Sequence, residues 1–322
     1  MDGIVLNVLV FLGASLILVK ASSFAVKYVV GLAKAFHLTE FMAAFVLAGF
    51  VSILPEFFIG VNAALDGFTD AGIGTLIGNN LVDLTLVIGI VAILGRELST
   101  SRYDRMSTIP FIVMMALPFG LMLDGLLSFI DGLLLITAAI LYFAWLISRE
   151  EVQSAKKPIV WKQLLVPLSG FGLMMLIIFL SSKYVVESAV SLSTIFGIPE
   201  VFAGLFIISV GASLPELTFS VQAVLSRHKS IALGDILGNV ALDATFSIGV
   251  MAIIRPIPIQ FPTIGVSALI MVFAALMLTT YLDNDHKLNT RDGIALIGLF
   301  IVFVVVQLAL NVPVAPAGVV HP

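Results

Sequence analysis

The sequence predicts an all-α polytopic membrane protein of ten transmembrane helices, arranged as two inverted five-helix repeats. Three observations carry that expectation. Apolar runs of about 20 residues, each long enough to cross a bilayer as a helix, recur along the chain. Only 11% of the residues are charged and 60% are hydrophobic, whereas soluble proteins carry roughly 25% charged residues. The two halves of the chain also match each other at a constant offset of 160 residues.

The apolar runs lie at about 4–28, 39–66, 72–95, 107–124, 127–148, 164–186, 199–226, 231–254, 260–280 and 291–311. They are continuous in Leu, Ile, Val, Ala and Phe, which favours helices over the alternating strands of a membrane barrel. The first run has Asp2 as the only charge before Lys20. Without a basic n-region it reads as a retained helix rather than a cleaved signal peptide. The fourth and fifth runs part only at Asp124-Gly125, and symmetry with the second half separates them. Residues 1–148 are then a first repeat and 164–311 a second. A linker at 149–163 holds Arg149, Glu150, Glu151, Lys156 and Lys157, and 312–322 is a flexible tail rich in Pro and Ala.

Ten crossings place both termini on one side. The loops on the opposite side hold Lys34, Arg96, Arg102, Arg105, the linker cations with Lys162, then Arg227, Lys229, Lys287 and Arg291. Basic residues of short loops stay cytoplasmic, so both termini are expected to be extracytoplasmic, in the cell membrane. Trp145 and Trp161 flank the basic linker, where interfacial aromatics belong.

The repeat is specific at polar positions. Residues 49–89 align with 209–249 without a gap. Leu54-Pro55-Glu56 meets Leu214-Pro215-Glu216, Gly74 meets Gly234, and Gly78-Asn79 meets Gly238-Asn239. Asp83 meets Asp243, Thr85 meets Thr245, Ile88-Gly89 meets Ile248-Gly249, and Glu40 meets Glu200. Asp131-Gly132 and Asp292-Gly293 match at nearly the same spacing. An odd number of spans per half inverts the second copy. Inverted repeats with helices interrupted at matching places point to a transporter with its substrate site between the repeats.

Glu56, Asp83, Glu216 and Asp243 fall near the middles of their spans. A charge at the bilayer centre costs at least ~2.5 kcal/mol on insertion scales, so four of them call for a compensating cation or proton. Lysine partners are the competing explanation; only Lys20, Lys27 and Lys183 stand near enough, all in the first and sixth spans. Pro55 and Pro215 lack an N–H and push aside the carbonyl four residues earlier, freeing the carbonyls of Val51 and Gly211. Carboxylates with free carbonyls form an oxygen-only site, which suits Ca2+ with its 6–8 oxygen ligands. Softer metals would call for His or Cys. The chain has no Cys, and His37, His228, His286 and His321 fall in loops or the tail. Asn79 with Asp83, and Asn239 with Asp243, share helix faces at a spacing of four. The glycines at spacing four (Gly74, Gly78, Gly234, Gly238) read as close-packing positions.

At these residues the chain resembles the calcium/cation antiporter superfamily, in particular the prokaryotic sodium/calcium exchangers. Their two repeats carry G-T-S-L-P-E and G-N-x-x-G-S-N-x-x-[ND]. Here the first motif reads Val51-Ser52-Ile53-Leu54-Pro55-Glu56 and Gly211-Ala212-Ser213-Leu214-Pro215-Glu216. The second reads Gly74 to Asp83 and Gly234 to Asp243. The resemblance implies that Glu56 and Glu216 bind Ca2+ with carbonyls of the preceding turn. It implies an ion set of Glu56, Glu216, Asp83, Asp243, Ser52, Ser213, Asn79 and Asn239, with Gly49, Ser209, Val51 and Gly211. It also implies that the first and sixth helices slide against the other eight. The chain departs from the pattern at Ile53 and Ala212, which replace hydroxyl residues, at Asn79 and Asn239, and at Asp83.

The expectation is therefore a non-enzymatic secondary antiporter exchanging Ca2+ for Na+, with no organic cofactor. Its partners are the lipid bilayer and the transported cations, with no nucleic acid and no obligate protein partner. A Ca2+/H+ exchanger of the same fold is the alternative. A cation channel and a relative that binds cations without transporting them are the rivals from other classes.

Overall fold

The computed structural model describes residues 2–35, 49–99, 105–148, 161–225, 229–285 and 287–311. Glu40, residues 149–160 of the expected linker, the four histidines and the tail at 312–322 lie outside these. The described residues form ten helical segments. The first is Asp2–Ala35; the second is Gly49–Ser52 followed by Leu54–Asp66. The third joins Thr69–Leu81, Val82–Val87 and Ile88–Gly95; the fourth is Arg105–Leu121 and the fifth Phe129–Ser148. The sixth is Trp161–Phe196. The seventh runs through Glu200–Phe202, Ala203–Ile208, Ser209–Ala212 and Leu214–Leu225. The eighth joins Lys229–Leu242, Asp243–Ser247 and Ile248–Ile254; the ninth is Phe261–Gly265 with Val266–Asp285, and the tenth Thr290–Asn311.

Two segments are longer than the hydrophobic pattern implies. The first extends to Ala35 rather than 28, and the sixth spans Trp161 to Phe196 rather than 164 to 186. Neither extension contains a proline, so the helix continues past the membrane-length run in both. The sixth stops where Gly197 adopts φ +65, a left-handed turn that Gly accommodates, ahead of Pro199. These two long helices pack along each other and carry many exposed Leu, Ile and Val side chains. The third and eighth, by contrast, are buried almost end to end.

Inversion shows in how the halves clasp. Gly89 in the third segment meets Gly293 in the tenth, and Gly249 in the eighth meets Gly132 in the fifth. A Cβ on Gly89 would stand 2.8 Å from the Gly293 carbonyl oxygen; one on Gly132 would stand 2.6 Å from that of Gly249. These four glycines are the repeat-matched ones, so one backbone crossing is made twice. Gly74 and Gly78 likewise let the third segment approach the backbone of the seventh at Val201 and Leu205. Around their equivalents Gly234 and Gly238, nothing among the described residues comes within 4 Å of an added Cβ.

Two small antiparallel sheets repeat the exchange on opposite faces. Strand β1 (Glu97–Ser99) pairs with β4 (Lys287–Asn289), and β2 (Leu126–Leu127) pairs with β3 (Ile257–Pro258). Each sheet joins one strand from each half. Asp131 and Asp292, each the third residue of its helix, reach back to the residue before it: the backbone N–H of Ser128 and of Asn289 each donate at 2.8 Å to the respective carboxylate, the returning bond of a capping box.

The sixth segment is tied to the second by polar contacts. Asn62 Nδ2 donates to Ser182 Oγ at 2.7 Å and to the Phe179 carbonyl at 2.9 Å. Lys183 Nζ lies 3.6 Å from Asp66 and 3.7 Å from Glu187.

Because the glycine crossings are backbone to backbone, a methyl group there forces helices apart at a cost of about 1–3 kcal/mol. Gly132→Ala is expected to lower the thermal unfolding midpoint of the detergent-solubilised protein. Gly120→Ala, where nothing among the described residues lies within 4 Å of the new carbon, is expected to leave it unchanged or raise it.

Candidate functional site

The second and seventh segments break at matched residues. Ile53 sits at φ −73, ψ −10 and Ser213 at φ −74, ψ −4. The helix resumes at once: Phe57 N–H donates to the Ile53 carbonyl at 2.8 Å, and Leu217 N–H to that of Ser213 at 3.0 Å. The cause is Pro55 and Pro215, two residues further on. Neither can donate to the carbonyl of Val51 or Gly211, and the ring disfavours an unbroken helix. Each break is followed by a Glu at the start of the new helix. Glu56 and Glu216 are 0% and 3% exposed.

The facing acids sit on a second distortion. Asp83 lies in a π-helical turn at Val82–Val87 and Asp243 in one at Asp243–Ser247. A π-turn widens the helix and re-aims its side chains, and it is frequent at functional sites. Thr85 and Thr245 donate to the Leu81 and Ala241 carbonyls one turn back, taking up acceptors that the widened turn loosens. Ser209 closes a third such turn, donating to the Leu205 carbonyl; its own carbonyl accepts the Ser213 N–H at 2.9 Å.

Hydrogen bonds link the two halves across the site. Ser213 Oγ donates to Asn79 Oδ1 at 2.5 Å, and Asn79 Nδ2 donates to Asp83 Oδ2 at 3.3 Å. Asn239 Nδ2 reaches the same Asp83 oxygen at 3.5 Å. The mate of Ser213 is Ile53, which has no hydroxyl, and Asn239 Oδ1 is left without a hydrogen-bond partner. The substitution at Ile53 thus accounts for the unequal wiring of two matched asparagines.

The remaining acceptors are unpaired. Both oxygens of Glu56, both of Asp243, Oδ1 of Asp83 and Oε2 of Glu216 are buried without a hydrogen-bond partner. Native proteins rarely tolerate such groups. Glu56 lies within electrostatic range of Glu216, Asp243 and Asp83, and Glu216 within range of Asp83 and Asp243. The carboxylates share one compartment, although among the described residues no three of them converge on a ready-made metal cage. Lys183 is engaged with Asp66 and Glu187 and Lys27 lies 4.8 Å over the Phe24 ring, so neither of these offers itself as the counter-charge.

Hydrogen bonds or electrostatic range link seven of the twelve expected positions: Glu56, Glu216, Asp83, Asp243, Ser213, Asn79 and Asn239; Val51, Ser209 and Gly211 lie on the broken second and seventh segments. Ser52 lies within interaction range of Asp235, a residue absent from the expected set. Gly49 opens the short helix before the first break. Ser220 and Ser247 were also missed; both are buried, and their hydroxyls lack hydrogen-bond partners. Each stands four residues beyond a central acid, Glu216 or Asp243, a spacing that places it on the same helix face. Their repeat mates are Gly60 and Val87, so comparison of the halves hides them. Asn80 is buried with neither amide atom paired.

Comparison with known proteins agrees with this geometry. The family model described as "Sodium/calcium exchanger protein" matches residues 6–148 and 166–309. The putative antiporter CaxA of Alkalimonas amylolytica is 25% identical over 315 residues, covering 92% of this chain and 97% of its own length. The sodium/calcium exchanger MaX1 of Methanosarcina acetivorans is 22% identical, covering 94% and 99%. Among solved structures, an H+/Ca2+ exchanger, CAX, superposes with a TM-score of 0.79 at 19% identity, over 94% of this chain and 84% of that one. The sodium-calcium exchanger NCX_Mj superposes at 0.68 and 20% identity, over 94% and 99%. With both halves matched and the ten-helix inverted plan in place, the chain belongs to the sodium/calcium exchanger family.

Proposed function

We propose that this protein is a secondary active antiporter that exchanges Ca2+ for Na+ across a membrane by alternating access. The observation that carries the reading is the set of unpaired buried carboxylate oxygens on Glu56, Asp83, Glu216 and Asp243, collected where the two repeats meet. Oxygen-only ligation by carboxylates and freed carbonyls fits a hard cation, and Ca2+ tolerates an irregular shell. Glu56 and Glu216 are the principal ligands. Asp83 and Asp243, the Ser52 and Ser213 hydroxyls, Asn79, Asn239 and the Gly49, Val51, Ser209 and Gly211 positions complete the ion sites.

Electrostatics supplies the coupling. Two carboxylates about 4 Å apart repel by roughly 4 kcal/mol at an effective dielectric of 20. An ion-free, fully ionised site is costly to carry through an occluded state; a site loaded with Ca2+ or with several monovalent ions is not. Only loaded forms then change access, which makes the transport an exchange rather than a leak. Movement of the first and sixth helices would exchange the Asn62–Ser182 and Asp66–Lys183 contacts. Residues 1–148 and 164–311 serve as the two repeats, 149–163 as the cytoplasmic linker and 312–322 as the tail. The basic loops support a topology with both termini outside the cytoplasm.

Coupling to H+ is the second reading, favoured by one observation: Ile53 removes a hydroxyl while Asp83 adds an acid. Uptake of radiolabelled Ca2+ into proteoliposomes under separate Na+ and pH gradients decides between them. Dependence on the outward Na+ gradient alone is expected, and dependence on the pH gradient alone would transfer the assignment to protons. Flux without any counter-ion would make the protein a channel.

Glu56→Gln and Glu216→Gln are each expected to abolish that uptake, and retained uptake in either would remove the proposed site. Ile53→Ser would give Asn239 Oδ1 its missing donor, a contact worth about 1 kcal/mol. It is expected to lower the Na+ concentration for half-maximal exchange by about fivefold, read from Na+ titrations of the same proteoliposomes.

A further inference from the structure

The repeat builds the same corner at both membrane faces, and the two corners differ in chemistry. At the face with the basic loops, β1 follows the third segment and β4 leads into the tenth helix, with Glu97 paired opposite Asn289. Just inside this sheet, a Cβ on Gly293 of the tenth helix would meet Ala92 and Ile93 of the third segment. The two helix ends thus come together around an open cleft of about 420 Å³, lined by Arg96, Glu97, Asn289, Thr290 and Arg291. Lys287 meets Glu97 at 3.2 Å, and Asp292 turns its carboxylate back to the Asn289 N–H. Arg96 and Arg291 are exposed, and no ion pair among the described residues takes up either.

The tenth helix continues the cleft into the membrane. Ile294, Gly298, Ile301 and Val305 follow Arg291 at steps of three and four, so all five share one helix face. The two Ile and the Val are 57–59% exposed. A Cβ on Gly298 would meet nothing among the described residues within 4 Å, which leaves a dent in the stripe. From Arg291 to Ile301 is about 15 Å along the helix, half the hydrocarbon thickness of a bilayer. A cationic head above an apolar path one leaflet long has the outline of a phospholipid.

The corner at the opposite face has the same build, with β2 and β3 beside the start of the fifth helix. Its counterparts of Arg96, Thr290 and Arg291 are Pro256, Phe129 and Ile130. Phe129 and Ile130 are exposed, and the guanidinium of the neighbouring Arg255 lies against the Gly67 turn. The fold of the corner therefore does not require the two arginines.

We propose that the cleft holds the phosphate of an anionic phospholipid from the leaflet on the basic side, with an acyl chain along the stripe from Ile294 to Val305. Two guanidiniums offer forked N–H donors that match phosphate oxygens, and the positive end of the tenth helix adds to them. A zwitterionic lipid brings its own cation, which the arginines repel. Basic pockets at the ends of membrane helices on the cytoplasmic side are suited to anionic head groups. The inference needs only that the chain resides in a membrane and is independent of which ions it exchanges.

The test follows the thermal unfolding midpoint of the full chain in detergent, titrated with phosphatidylglycerol or with phosphatidylcholine of the same acyl chains. The protein is expected to respond to phosphatidylglycerol at a lower concentration than to phosphatidylcholine, and not to glycerol 3-phosphate at that concentration. Arg96→Gln and Arg291→Gln are each expected to raise the half-effect concentration of phosphatidylglycerol about fivefold, the share of one basic residue near a lipid surface. Neither is expected to change that of phosphatidylcholine. Arg149→Gln, in the basic linker, is expected to change neither. An equal response to both lipids, an equal loss in Arg149→Gln, or full selectivity retained in both Arg96→Gln and Arg291→Gln would overturn the site. Stabilisation by glycerol 3-phosphate at the same concentration would overturn the lipid as its occupant.

Discussion

Four acids confined in one buried compartment, without a compensating base among the described residues, are the constraint around which the molecule is built. Burial of an unpaired carboxylate is tolerated only if something neutralises it. Here the third and eighth segments hold Asp83 and Asp243 at the centre of the bundle, and the second and seventh bring Glu56 and Glu216 beside them. The tight glycine crossings, Gly89 on Gly293 and Gly132 on Gly249, keep these carriers in a rigid frame. Repulsion inside a rigid frame cannot be relieved by collapse or by turning side chains to water, so it is relieved by ions.

The backbone distortions serve that end. A straight helix satisfies all its own carbonyls and presents none to a ligand. The breaks at Ile53 and Ser213 and the π-turns around Asp83 and Asp243 each loosen the ladder where an oxygen is needed. In hydrocarbon an unsatisfied backbone group is acceptable only where it is buried in protein or lines a cavity. Their placement at matched positions shows that the two halves use one local solution twice.

Much of this is legible in the sequence. Pro55 and Pro215 announced the breaks because proline's missing N–H is a covalent fact. The matched Glu and Asp residues announced the acids because apolar similarity alone does not conserve charges at one offset. The π-turns were not legible: widening by one residue depends on packing and on the back-bonding of Thr85 and Thr245, and threonine in a helix usually signals neither. Asp235, Ser220 and Ser247 escaped for a different reason. Reading the chain through its repeat selects what is shared, and these residues are what the halves do not share. The true ends of the first and sixth helices escaped as well, since hydropathy measures the membrane and not the helix.

Asymmetry between the halves has a thermodynamic boundary that narrows what it can do. In an antiporter the net direction is set by the ion gradients, and no arrangement of ligands alters the equilibrium ratio of a reversible cycle. Unequal wiring, Ser213–Asn79–Asp83 on one side and Ile53 with a half-satisfied Asn239 on the other, can therefore act only on occupancies and rates. A ligand can shift a conformational equilibrium only by the difference in its affinity for the two states. A polar group present in one half and absent from its repeat mate, such as Ser213 against Ile53, supplies such a difference. The same group would do nothing to access if it were mirrored. Departures from symmetry near the site are thus the places where this chain can tune how each membrane face is served, while the symmetric core of four acids determines that exchange happens at all.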